Sequence, residues 1–86
     1  MPGYNILIKP SAVEEIESIR SKQDRLRIVS RIGKLSETPR PAGCEKLSGQ
    51  EKYRIRQGRY RIVYSINDQE MSVLVVKIGH RRDVYR

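Results

Sequence analysis

The stretch "YRIRQGRYRIVY" (residues 53–64) decides the fold, because apolar residues alternate with arginines on both sides of a Gln-Gly step. Alternation with a period of two is typical of strands that bury one face. A two-residue turn at the Gln-Gly step predicts a hairpin in which Arg56 pairs with Arg59 and Arg54 pairs with Arg61. The sequence therefore predicts a β-hairpin with one apolar face and one strongly basic face.

The two faces of this predicted hairpin differ completely in chemistry. Cross-strand partners point to the same side of a sheet. The side predicted to be buried carries Tyr53, Ile55, Tyr60, Ile62, Tyr64 and Ile66. The opposite side is predicted to carry Arg54, Arg56, Arg59 and Arg61. A slip of one residue would bury the arginines, so the choice of faces is strongly specified.

Four arginines on one face are costly for a small domain. Like charges directly opposite each other destabilise a sheet by up to about 1 kcal/mol per pair, so removing Arg61 is expected to relieve a repulsion with Arg54. A solvated face with side chains splayed into water is the alternative reading. Converging guanidinium groups instead favour an anion site, because they bind phosphate bidentately and stack on bases. The predicted partner is an extended phosphodiester chain, or an acidic peptide that mimics one.

Patterns before the hairpin predict one strand and two helices. The run "YNILIK" reads as the first strand, and Ser11 lies three residues before Glu14, a capping-box signature that starts a helix. The polar stretch "RSKQD" separates this helix from a second one. The apolar positions at helical spacing are Val13, Ile16 and Ile19 in the first helix and Leu26, Ile28, Val29, Ile32 and Leu35 in the second. Gly33 interrupts the second helix and suggests close packing there.

The remaining segments complete an α+β prediction. The run "SETPRPAGCEKLSGQ" reads as a loop, and strands are predicted at 52–56, 59–66 and 71–78. The last of these, with "SVLVVKI", is nearly continuously apolar, which predicts a central strand covered on both sides. The order β-α-α-β-β-β predicts two helices packed on one face of a mainly antiparallel four-stranded sheet, in a single domain spanning residues 1–86.

Composition limits the classes of function. The chain has 86 residues and a formal net charge of +8, with a pI of about 10.1, which predicts polyanionic partners. The chain has neither a signal-peptide pattern nor an apolar run long enough to span a bilayer, so a cytoplasmic location without a membrane partner is expected. The single Cys44 excludes an internal disulfide and a cysteine-built zinc site. No metal and no cofactor are expected, because His and carboxylates do not cluster at ligand spacing.

The tail "GHRRDVYR" is predicted to return to the basic face. The last strand is antiparallel to its neighbour, so its end is expected near Arg59. The tail residues expected to reach the arginines are His80, Arg81, Arg82 and Tyr85. Histidine is a general acid or base near neutral pH, and tyrosine offers a plane on which a base stacks. An ordinary surface histidine and a packing role for Tyr85 are the alternatives.

Two segments, "EKLSGQEKYRIRQGRYRIVYSI" and "VLVVKIGHRRDVYR", resemble the RelE toxin family of toxin–antitoxin systems. The preceding strand and helices fit the same family, so the resemblance covers essentially the whole chain. It implies a RelE-like fold and a metal-independent endoribonuclease that cuts mRNA in the ribosomal A site. It also implies the ribosome and mRNA as partners, together with an acidic, RelB-like antitoxin that wraps and silences the toxin.

The same resemblance implies roles for individual residues. Arg54 and Arg56 fall on the two basic catalytic positions of the family's second strand, and Arg61 falls on its third-strand arginine. Arg81 and Tyr85 fall on the C-terminal arginine and tyrosine. The residues expected to bind RNA are Arg54, Arg56, Arg59, Arg61 and Arg82.

One departure from the family concerns the general base. Relatives with lysines in the second strand can use one to activate the RNA 2′-hydroxyl. Arg54 and Arg56 stay protonated and cannot readily do so. His80 is then a candidate base, with Tyr85 behind it. Alternatively no strong base acts, and orientation on the ribosome supplies several kcal/mol.

Two other functions fit the sequence. A ParE-like toxin shares the scaffold but inhibits DNA gyrase without nuclease activity, and a basic C-terminal segment suits it too. A nucleic-acid-binding module without catalysis is the third reading. The joint presence of Arg61, Arg81 and Tyr85 favours the nuclease.

Overall fold

The computed structural model describes residues 3–47, 49 and 51–80, which form two helices on one side of a five-stranded sheet. The elements are β1 (Asn5–Ile8), α1 (Pro10–Glu17), α2 (Lys22–Lys34), β2 (Glu45–Lys46), β3 (Lys52–Gln57), β4 (Tyr60–Asn67) and β5 (Ser72–His80). The strand order is β1-β5-β4-β3-β2. β1 is parallel to β5, and the other neighbours are antiparallel. The α+β prediction is therefore confirmed as helices on one side of a sheet, whereas the predicted four-stranded sheet is wrong.

The additional strand, β2, lies in the segment predicted to be a loop. It consists of Glu45 and Lys46, which pair with Arg54 and Tyr53 of β3. Two residues cannot show an alternating pattern, so periodicity gives no signal for such a strand. Its pairing nevertheless places one acidic side chain beside the arginines of the hairpin.

Both helices begin earlier than the sequence patterns predict. In α1, Lys9 is the N-cap and Pro10 occupies the first turn, where its fixed φ suits the helix. The capping box predicted at Ser11 is therefore wrong. In α2, Ser21 is the N-cap and its hydroxyl accepts a hydrogen bond from the backbone N–H of Asp24 at 3.1 Å, so this helix includes most of the predicted linker. None of the described helices is long and apolar enough to cross a membrane.

The core lies between the helices and the predicted apolar face of the hairpin, and that prediction is confirmed. Three of its six residues are buried, and the other three are partly buried and pack against the core: Ile55, Ile62 and Tyr64, then Tyr53, Tyr60 and Ile66. The helices contribute Ala12, Ile16, Ile28 and Ile32, and the residues just after them contribute Ile19 and Leu35. The predicted helical stripe is too broad, because each helix packs against one sheet and leaves its flank in solvent. The exposed residues of that stripe are Val13, Leu26 and Val29.

β5 lies between β1 and β4 and contains a bulge. Val73, Val75 and Ile78 are buried on the helix side, whereas Leu74 is 37% exposed on the other side. The predicted cover on both faces is therefore wrong. Val76 is left without a partner in the described register of β4. This extra residue reverses the alternation in the second half of β5.

A network around Arg40 fastens the loop that joins α2 to β2. The guanidinium of Arg40 donates to both carboxylate oxygens of Asp68 at 2.9 and 3.2 Å and lies 5.2 Å from the ring centre of Tyr53. These hydrogen bonds hold the pKa of Asp68 below its usual range. The Tyr64 hydroxyl, whose pKa is raised by burial, donates to the carbonyl of Pro39 at 2.8 Å. The loop that leads into β2 is thus held at two points.

Candidate functional site

The turn of the hairpin lies one residue later than predicted. Gly58 and Arg59 form the turn, and Gln57 pairs with Tyr60 to close it. Gly58 has a φ of 61°, and type II′ hairpin turns place glycine at this first central position. Because the turn starts at glycine rather than at glutamine, every pair in the hairpin shifts by two residues from the predicted register.

A shift of two residues keeps the predicted faces but changes the pairs. Arg56 lies directly opposite Arg61, and Arg54 lies opposite Val63. The predicted pairs of Arg56 with Arg59 and Arg54 with Arg61 are therefore wrong, and Arg59 lies in the exposed turn. We call the side of β3 and β4 that faces away from the helices the arginine face, and its three arginines are Arg54, Arg56 and Arg61.

Arg54 is held by an acidic residue that the sequence patterns did not reveal. Its Nε donates to Oε1 of Glu45 at 3.1 Å, and its Nη2 lies 3.1 Å from the same oxygen in an ion pair. The side chain of Arg54 is 17% exposed and that of Glu45 is 63% exposed. Because β2 places these residues opposite each other, the pairing fixes the direction of the guanidinium and offsets part of its charge.

Arg61 is the most enclosed arginine of the face. Only 8% of its surface is exposed, whereas Arg56 opposite it is exposed. On its other side Arg61 pairs with Gly79 of β5, which carries no side chain. A partly enclosed charge is screened less by water than an exposed one. The charge of Arg61 is therefore screened less by water than that of Arg56.

Lys52 extends the row of cations on β3. It lies two residues before Arg54 and pairs with Ser65 of β4, so it is on the same face, and it is half-buried. It was missed as a site residue, although the alternation of Lys52, Arg54 and Arg56 contained the signal. The row brings a primary amine to the arginine face, at the end away from the turn.

His80 lies on the other side of the sheet from the arginines. It pairs with Tyr60, and the two rings meet edge to face with centroids 5.9 Å apart. Tyr60 packs against the core, whereas Arg61, the next residue, faces outward. The expectation that His80 reaches the arginine face is therefore wrong, and its position gives no support to its predicted role as the base there.

Three predicted site residues, Arg81, Arg82 and Tyr85, lie outside the described residues, and their roles remain predictions. Within residues 3–47, 49 and 51–80, no three His, Cys, Asp or Glu side chains group so as to hold a metal ion. The described part of the site is thus a basic sheet face with one acidic neighbour, an arrangement whose charge suits anions.

The architecture matches solved toxin structures. A chain of the archaeal RelE–RelB complex from Pyrococcus horikoshii superimposes with a TM-score of 0.83 at 26% identity, covering 94% of this chain and 98% of that one. The isolated RelE toxin of Escherichia coli gives 0.77 at 26% identity, covering 95% and 90%. A chain of the RelBE2 complex from Mycobacterium tuberculosis gives 0.81 at 23% identity, covering 96% and 97%, which shows the fold alone. Fold and basic face together define a toxin of the RelE/ParE superfamily.

Sequence comparison gives the family. The family model described as the ParE toxin of the type II toxin–antitoxin system parDE matches residues 6–85, and the chain belongs to this family. Toxin RelG of Mycobacterium tuberculosis strain H37Rv is 35% identical over 58 residues, which is 64% of this chain and 64% of that protein. The match spans less than two thirds of that relative's length. The predicted resemblance is confirmed at the level of the superfamily.

Proposed function

We propose that the chain is a ribosome-dependent endoribonuclease that cuts mRNA in the ribosomal A site. One observation carries the proposal: Arg56 and Arg61 lie opposite each other on the sheet face away from the helices, with Arg54 on the same face. Such a cluster fits a phosphate whose charge increases during the reaction, because each guanidinium donates to phosphate oxygens in a bidentate manner.

The reaction proposed is an internal transfer on the RNA strand. The 2′-oxygen attacks the adjacent phosphorus and forms the O2′–P bond while the P–O5′ bond breaks. The products are a 2′,3′-cyclic phosphate and a free 5′-hydroxyl, and the proton lost from the 2′-hydroxyl is balanced by one gained at the leaving oxygen. Arg56 and Arg61 stabilise the non-bridging oxygens, and Arg54 positions the phosphate. The guanidinium groups stay charged and do not take the proton.

Residues outside the described part complete the proposed site. Arg81 neutralises charge at the leaving oxygen, and Tyr85 stacks on or orients a base. Arg59 in the turn and Arg82 in the tail add contacts to the RNA backbone. Orientation on the ribosome supplies the part of the rate enhancement that a strong base would otherwise provide.

The proposed partner that silences the toxin is an acidic, RelB-like antitoxin. Similar chains from Pyrococcus horikoshii and Mycobacterium tuberculosis were solved as RelE–RelB and RelBE2 toxin–antitoxin complexes. The net charge of +8 favours an acidic chain over a neutral one. By covering the arginine face, this partner would compete directly with RNA.

Cleavage on programmed ribosomes tests the proposed function. Purified toxin is mixed with an mRNA, either free or positioned with a codon in the A site, and the cut ends are mapped. We expect rapid cutting on the ribosome, very slow cutting of free RNA, and cyclic phosphate ends. Arg56→Ala serves as the inactive control: it removes a proposed phosphate contact, and because the side chain is exposed we expect the fold to be kept. Equal rates on free and ribosomal RNA would contradict the dependence on the ribosome.

A second candidate function is inhibition of DNA gyrase. The observation that favours it is the family match itself, since the matching model describes the ParE toxin of parDE systems. The same preparation is added to a gyrase supercoiling assay. Blocked supercoiling together with intact mRNA on ribosomes would replace the nuclease with this function.

A further inference from the structure

A groove of about 500 Å³ lies on the helix side of the sheet, away from the arginine face. The last pair between β1 and β5 is Ile8 with Val75. Beyond that pair, no described strand lies beside the edge of β5 that faces away from β4. The turn between α1 and α2 lies opposite this edge. The lining of the groove includes the charged and aromatic residues Glu15, Arg20, Tyr60, Lys77 and His80.

Aromatic rings form one end of this groove. Tyr60 and His80 meet edge to face with centroids 5.9 Å apart, and both are half-buried, so each keeps some surface in the groove. Flat rings of this kind are the surfaces on which nucleobases stack, largely without regard to sequence. The volume also lies within the range of small-ligand sites.

The opposite wall carries a cation. Arg20 is exposed and makes no ion pair with any described residue. The backbone around it is fixed, because the guanidinium of Arg25 donates to the carbonyls of Ile19 and Arg20. A cation on a fixed turn opposite aromatic rings suits a ligand that combines a flat ring with an anionic group.

The groove fits a nucleotide better than an extended peptide. A peptide strand added to β5 would need the outward N–H of Ile78, but that N–H already donates to Oε1 of Glu15 at 2.8 Å. The other carboxylate oxygen of Glu15 accepts from Nζ of Lys77 at 3.3 Å. Glu15 therefore closes the hydrogen-bonding edge, while the rings of Tyr60 and His80 line the groove.

The groove and the arginine face lie back to back at the same end of the sheet. Tyr60 precedes Arg61 on β4, and Gly79 precedes His80 on β5; Arg61 pairs with Gly79 and Tyr60 pairs with His80. Among the residues that the structure describes, the end of β5 separates a phosphate at Arg61 from the rings. At that point Gly79 presents no side chain to the arginine face.

We propose that the groove binds the base of a nucleotide that flanks the phosphate held at Arg61, with the base on Tyr60 and His80 and the next phosphate on Arg20. The inference rests on the proposed RNA-binding function of the arginine face. It assigns His80 a binding role on the helix side and requires no proton transfer by it.

Binding of uncleavable RNA tests this subsite without relying on catalysis. Short oligonucleotides with a 2′-deoxy sugar at the scissile position are titrated by fluorescence anisotropy, each complete or lacking one base on either side of that position. We expect wild-type protein to bind the complete strand about tenfold more tightly than one of the two strands that lack a base. His80→Ala and Arg20→Ala should lose that preference, whereas Arg27→Ala, an exposed cation of α2 outside the groove, should keep it.

The outcomes separate the subsite from the nuclease. Arg20→Ala changes an exposed side chain and tests the groove even if His80→Ala disturbs the fold. If the protein binds the complete strand more tightly than the abasic strand but does not cleave mRNA on ribosomes, the subsite is supported and the proposed nuclease activity is rejected. Equal binding of complete and abasic strands by folded wild-type protein would overturn the subsite. The subsite would also be overturned if the NMR signals of the Tyr60 and His80 rings shifted when polyglutamate is added but not when the oligonucleotide is added.

Discussion

Arg61 is a charged side chain built into the surface of a sheet. The expectation that its removal relieves a repulsion with Arg54 loses its basis, because Arg61 pairs with Arg56 and is 8% exposed. Its aliphatic stem packs against neighbours, so truncation removes packing as well as charge. The same enclosure strengthens its electrostatic effect on a phosphate. Function and stability are thus coupled at this residue.

Substitutions at Arg61 should separate these two contributions. Arg61→Ala should slow single-turnover cleavage on ribosomes about 100- to 1,000-fold and lower the free energy of unfolding by about 1 kcal/mol. Arg61→Met keeps most of the stem, so cleavage should fall as far while denaturant melts show a smaller loss of stability. Wild-type cleavage by Arg61→Met would show that the charge is not used.

Glu45 should set how strongly salt affects RNA binding. Its carboxylate already neutralises Arg54 in part, so fewer counterions are released when RNA binds. Glu45→Gln removes that charge, and the slope of log binding constant against log salt should steepen by about 0.7, the value for one more phosphate on a single strand. Glu51→Gln is the matched control, because Glu51 pairs with Lys46 at 3.6 Å rather than with an arginine. Equal slopes for the wild-type protein, Glu45→Gln and Glu51→Gln would contradict this role of Glu45.

At the scale of elements, the hairpin shows what alternation can and cannot predict. The two faces follow from the period of two. An error of two residues in the register leaves each side chain on its predicted face. The position of the turn depended on which residue takes a positive φ, and the pattern alone favoured the wrong step. β2 was missed because it has two residues.

The bulge in β5 decides which face of the sheet His80 takes. Counting by twos from Val73 and Val75 places His80 on the arginine face. The extra residue at Val76 reverses the alternation, so Ile78 and His80 face the helices instead. Bulges come from pairing with a neighbouring strand, and the apolar run of β5 contains no mark of one. Periodicity alone therefore could not predict the face on which His80 lies.

Two glycines should respond to alanine in opposite directions. Gly33 is exposed in α2 with no atom within 4 Å of an added Cβ, which contradicts the expected close packing. Gly33→Ala should raise the free energy of unfolding by up to about 1 kcal/mol. Gly58 has a φ of 61°, so Gly58→Ala should lower it by about 1 kcal/mol. Denaturant melts compare the pair, and stabilisation by Gly58→Ala would contradict the turn.

At the scale of the whole molecule, charge should govern the complex with the antitoxin. With a net charge of +8, we expect binding to an acidic partner to weaken steadily as salt rises, because exposed charges are screened. Arg56→Ala should reduce that salt dependence, and Gly33→Ala, which changes no charge, should leave it unchanged. Calorimetry at several salt concentrations measures both. A complex that is insensitive to salt would show that the arginine face stays uncovered.

The parallel pairing of β1 with β5 has a consequence for synthesis. β1 is the first described strand to leave a ribosome and β5 the last, so the sheet closes through contacts between distant parts of the chain, which form slowly. A nascent chain that ends before β5 lacks the neighbour of both β1 and β4. We expect stalled chains to resist protease only once β5 has emerged. Under the proposed function, a chain whose β5 has not yet been made would be unable to cut mRNA.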